Sequence, residues 1–116
     1  MPVPVETELN GSTDGQPIVV AAVATPGTTV HTTGALGFEK IWIFASNVTA
    51  LVATLTIEWG GVADPGNHLV KGYSIPPNSG PIPIVTGQVL KNSKVVKAFS
   101  GTASAINITG FAVAVR

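Results

Sequence analysis

A chain of 116 residues with 6 basic and 6 acidic side chains and no cysteine has room for one hydrophobic core and excludes disulfides, thiolate metal sites and cysteine nucleophiles. Only 10% of its residues are charged, against roughly 25% in an average soluble domain, so it lacks the electrostatic footprint of a nucleic-acid or anionic-membrane binder. Its polar remainder is largely Thr, Ser, Gly, Asn and Pro, a neutral exterior that a packed neighbour can desolvate at low cost, as expected of an assembly subunit.

Residues 1–17, MPVPVETELNGSTDGQP, show no hydrophobic period and are expected to form an extended N-terminal arm, poorly ordered on its own, ahead of a folded domain spanning 18–116. The arm lacks the basic start and apolar run of a secretion signal. No later run approaches the roughly 18 apolar residues of a membrane helix. From residue 18 onward, β-branched and apolar runs predict strands over 18–24, 28–33, 40–47, 52–59, 68–75, 82–85, 94–100 and 105–115. Between them stand reversal signals such as Pro26-Gly27, Gly60-Gly61, Asp64-Pro65-Gly66-Asn67 and Pro76-Pro77-Asn78-Ser79-Gly80. The expected fold class is therefore all-β: a single-domain antiparallel β-sandwich, jelly-roll-like, with about eight strands.

Three strands indicate which faces are dry. In 40–47 both alternating sets are apolar, Ile41, Ile43 and Ala45 against Trp42 and Phe44. A two-layer sandwich has one interior, so one or other of these sets needs cover from an arm, a loop or another subunit. In 52–59, Leu55, Ile57 and Trp59 form a core face opposite Thr54, Thr56 and Glu58, which are expected to be solvated. In 105–115, Ile106 and Ile108 keep one parity while Phe111, Val113 and Val115 keep the other. A β-bulge at Thr109-Gly110 would return all five to one face, leaving Ala112 and Ala114 outward as small residues that let a neighbour approach. The candidate interaction residues are thus Ile41, Trp42, Ile43, Phe44, Ala112 and Ala114.

Catalytic chemistry finds little footing. His31 and His68 are the two histidines, too few and too far apart for a zinc shell. The Asp64–Asn67–His68 turn is poor in carboxylates for calcium. No serine sits in a Gly-x-Ser-x-Gly elbow. Past the arm the acids are Glu39, Glu58 and Asp64, and Gly60-Gly61 lacks the lysine and hydroxyl of a phosphate loop. Neither enzyme activity, nor a cofactor, nor a small-molecule substrate is expected. Trp42 and Trp59 raise a carbohydrate-binding alternative, although Trp59 keeps phase with the core.

The runs Phe38-Glu39-Lys40-Ile41-Trp42-Ile43-Phe44-Ala45-Ser46-Asn47, Leu55-Thr56-Ile57-Glu58-Trp59-Gly60-Gly61, Ser74-Ile75-Pro76, Val95-Val96-Lys97-Ala98-Phe99-Ser100 and Ile106-Asn107-Ile108-Thr109-Gly110-Phe111 resemble small head proteins of tailed bacteriophages. That family acts as capsid decoration or cement protein, and the likeness covers most of 28–115. The resemblance implies a virion protein made in the host cytoplasm and seated on the capsid surface, where it bridges major capsid protein subunits as a homo-oligomer, a trimer being favoured. A tail or neck component of the same particle is the nearest variant of this reading.

Overall fold

A computed structural model describes residues 4–115. The described chain forms β1 (Pro4–Glu8), β2 (Ile18–Val19), β3 (Thr28–Thr32), β4 (Phe38–Asn47), β5 (Ala53–Trp59), β6 (His68–Ile75), β7 (Ile82–Leu90), β8 (Val95–Ser100) and β9 (Ile106–Val115). One sheet runs β1-β9-β4-β7, with β2 also pairing to β9, and the second runs β3-β8-β5-β6. From β2 onward the pairs β2·β9, β3·β8, β4·β7 and β5·β6 are nested and antiparallel. This is the pattern of one long hairpin wound into two sheets, a jelly roll. The fold class is an all-β antiparallel sandwich.

The interior is made by the alternation of the strands. Ile41, Ile43 and Ala45 of β4 and Ile106 and Ile108 of β9 face Leu55 and Ile57 of β5 and Val96 and Ala98 of β8, all buried. Successive side chains point to opposite sides of a sheet, so each of these sets implies an outward set on the same strand.

Several expectations change. The run 18–24 is a strand only over Ile18–Val19; beyond it, backbone bonds from Val20 to Ile106 and from Ser100 to Ala22 carry the chain from one sheet to the other. The run 82–85 extends to Leu90, because β7 follows β4 along its length through two register shifts. The stretch expected as a free arm contains β1, which pairs with β9 from Pro4↔Val115 to Glu8↔Phe111. Leu9 behind it is fully buried, so this part of the arm is ordered on the chain's own sheet. Residues 1–3 of the arm lie outside the described residues.

The proposed bulge at Thr109-Gly110 is absent: β9 pairs with β4 in unbroken register from Ile106 to Val115. Gly110 adopts φ +153° and keeps its place opposite Ile43, so no residue is added and the parity does not switch. Ala112 and Ala114 are therefore buried in the chain's own interior, while Phe111, Val113 and Val115 turn outward.

Candidate functional site

The outer face of the β1-β9-β4-β7 sheet carries a stripe of half-buried apolar side chains. On β4, Phe38, Lys40, Trp42 and Phe44 alternate with buried residues, and each is half-buried except Lys40, which is exposed. On β9 the half-buried outward residues include Phe111, Val113 and Val115. Register sets Phe38 opposite Val115, Lys40 opposite Val113 and Trp42 opposite Phe111. The Trp42 and Phe111 rings stack with centroids 4.8 Å apart and planes 11° apart, an offset pair worth roughly 0.5–1.5 kcal/mol beyond its burial. Glu6 and Glu8 of β1 flank the stripe beside Val113 and Phe111.

The indole is gripped from both neighbouring strands. Phe111 reaches it from β9; on the β7 side, a Cβ added to Gly87 would lie 3.1 Å from its Cζ2 and 3.4 Å from its Cε2. Gly87 stands at the register shift between Ile41↔Gln88 and Trp42↔Thr86 with φ +83°, so the bulge and the missing side chain together make room for the ring. One face of the Trp42 ring is thus taken up by Phe111. Trp59 is half-buried and packs on the core.

Of the sequence-predicted contact residues, the structure brings Trp42 and Phe44 to this face. Ile41 and Ile43 are fully buried inside, with Ala112 and Ala114. The sequence reading did not single out Phe111 and Val113 as contact residues. The parity difference between 106–108 and 111–115 marks two faces of one unbroken strand, where the expected bulge would merge them into one.

The side chains of both histidines are buried next to carboxylates. His31 accepts a hydrogen bond from the Asn10 backbone N–H at Nδ1, 3.1 Å away, and its Nε2 lies 2.5 Å from Glu39 Oε1. The backbone donor fixes the tautomer: Nδ1 carries the lone pair and Nε2 the proton, which is donated to Glu39. Glu39 Oε2 accepts from the Gly34 N–H at 2.7 Å. This group floors a cleft of about 380 Å³ lined also by Glu8, Asn10 and Thr33. With both nitrogens engaged, His31 has no free lone pair for a metal or a substrate proton.

Glu58 is the larger departure from expectation. It points outward from β5 yet is fully buried, because the 20–27 segment lies across it. Thr25 donates its hydroxyl to Oε2 at 2.5 Å, and Gly27 donates its backbone N–H to Oε1 at 2.7 Å. His68, opposite Glu58 on β6, is buried between Glu58 Oε2 at 4.0 Å and Asp64 Oδ1 at 3.4 Å. Neither of its ring nitrogens completes a hydrogen bond, and Phe99 meets the ring edge-on at 6.0 Å. The two carboxylates approach different nitrogens of one ring, and among the described residues no three His, Asp or Glu side chains converge as a metal shell requires.

Lys71 donates to Asp64 at 2.7 Å, and this bond holds the exposed Asp64 carboxyl below the usual aspartate range. Since the folded pKa is depressed, the pair favours folding at neutral pH, and that contribution fades as pH falls through the folded value. Lys71→Met should let Asp64 titrate at higher pH, read by NMR of its carboxyl. It should leave stability at pH 7 close to that of wild type, as for exposed pairs.

Comparison with protein-family models, with curated proteins and with solved structures finds no match.

Proposed function

We propose that this chain is a structural assembly subunit, a capsid decoration or cement protein of a phage head, and that it docks through the outer face of the β1-β9-β4-β7 sheet. The observation that carries this reading is the stacked Trp42–Phe111 pair set among Phe38, Phe44, Val113 and Val115 on that outer face. Half-buried aromatics held rigidly by their neighbours are what interface hot spots are made of, since little side-chain entropy is lost when a partner covers them. The virion setting rests on the resemblance of 38–47, 55–61 and the later runs to head decoration proteins. Its mechanism is additive: each copy buries modest apolar area across a boundary between major capsid subunits, and many copies sum to a stiffened shell. No catalytic step belongs to this role.

Heads prepared without this protein should take up the wild-type chain. Phe44→Lys places an ammonium next to the Trp42–Phe111 pair, at the end of the stripe opposite Thr109, and should abolish uptake without unfolding the sandwich, because Phe44 lies on its outer side.

A further inference from the structure

The loops that follow β2, β4, β6 and β8 gather at one end of the jelly roll, and none of them carries a charge. The chain has no charged side chain within 15–38, 41–57, 72–90 or 98–115, and each span contains one of these loops. The charges lie elsewhere, in the far loops, as at Asp64, Lys91 and Lys94, and on the sheet faces, as at Lys40 and Lys97. What the uncharged end exposes is aliphatic. Val48, Leu51 and Val52 of the β4–β5 loop are 54%, 77% and 59% exposed. Val19, 49% exposed, stands at the same end, where Ser104 bonds residue 20 and Ala105 accepts from Val48.

This end is also rigid. Asn47, fully buried, donates its side-chain amide to the carbonyls of Leu51 at 2.8 Å and Ile75 at 3.1 Å. Its Oδ1 accepts from the Thr49 N–H at 2.9 Å, an Asx turn that shapes the loop. Asn78 then donates its N–H to the Thr49 carbonyl, tying the β6–β7 loop to the β4–β5 loop. One buried amide thus fixes the loop that presents Leu51, so covering it costs little ordering entropy.

We infer that this charge-free tip is a self-association surface, occupied by the same tip of a second copy of this chain. Around a symmetry axis each residue meets itself or its near neighbours, so any charge close to the axis faces its like. The tip can be apposed to itself without opposing like charges and without desolvating an ion. Both sheet faces and the opposite end carry charged side chains. A lipid surface fits less well, because the rim offers no lysine or arginine to meet a headgroup. The pairing holds whether or not the chain sits on a virion, and it leaves the aromatic sheet face free for a different partner.

The test is sedimentation velocity of the purified chain over a concentration series, for wild type, Leu51→Lys, Leu36→Lys and Phe44→Lys, with thermal melts to confirm folding. Leu36 is 72% exposed at the opposite end and serves as the matched control. The expected result is a concentration-dependent oligomer of wild type whose dissociation constant rises about tenfold or more in Leu51→Lys and does not change in Leu36→Lys or Phe44→Lys. The inference is overturned by a wild type that stays monomeric throughout, or by association that survives Leu51→Lys. Association lost only in Phe44→Lys would also overturn it, assigning self-contact to the sheet face. So would a monomer that floats with phosphatidylcholine vesicles.

Discussion

Gly110→Ala is expected to unfold the chain or to destabilise it by about 4 kcal/mol or more, in the range reserved for severe backbone and packing conflicts. A Cβ at this position would collide with the Trp42 carbonyl oxygen and lie 3.0 Å from its carbonyl carbon and 3.2 Å from Ile43 Cα. All three are backbone atoms of the strand paired with β9, so no side chain can rotate away. The φ of +153° adds strain of its own for any residue with a Cβ. Relief would require β4 and β9 to separate at the centre of their sheet, which would also break the Trp42–Phe111 stack. Gly66→Ala is the control: a Cβ there meets nothing within 4 Å, and its effect should stay within about 0.5 kcal/mol. Denaturant unfolding followed by circular dichroism reads both. Equal stability of the two variants would mean that the β4–β9 register is wrong.

Glu58→Ala should cost about 3 kcal/mol, the scale of removing a buried carboxyl acceptor that satisfies several donors. It leaves the Gly27 N–H and the Thr25 hydroxyl without their acceptor beneath the 20–27 segment, and it opens a void beside His68. Hydrogen exchange should localise the damage, with the Gly27 amide losing protection before the amides of β5 do. A solvated strand glutamate would instead change stability by less than about 0.5 kcal/mol, so the measurement separates the two descriptions of this residue cleanly.

These two sites also show what could be read from the chain alone. Strand positions and the sandwich class were legible because apolar alternation and Gly/Pro punctuation are local signals, and β3 to β6, β8 and β9 lie close to where they were expected. Glu58 was correctly placed on the outward face of β5 and wrongly expected to be wet. Its cover comes from Thr25 and Gly27, more than thirty residues away, and alternation within one strand carries no information about a remote segment. At β9 the parity change was visible, but a glycine beside it suggested a bulge. Only the pairing with β4 reveals that Gly110 is needed because the Trp42 carbonyl sits against it. The order of β1 was hidden for a related reason: Pro4–Glu8 has no dry face of its own, being exposed along its length, and it is held by backbone pairing to β9. Alternation shows that one of the two apolar sets of β4 needs cover, but that it is Trp42 and Phe44, with Phe111 and Val113 as companions, follows only from the register.

The aromatic outer face of the β1-β9-β4-β7 sheet is the proposed docking surface. Co-sedimentation with phage heads prepared without this protein tests it most directly, with wild type and Phe44→Lys compared at equal concentration after both are shown to melt cooperatively. Saturable uptake of wild type is expected, with a loss of affinity for Phe44→Lys of about a hundredfold, the scale of an interface hot-spot residue. Equal uptake of the two proteins would contradict it.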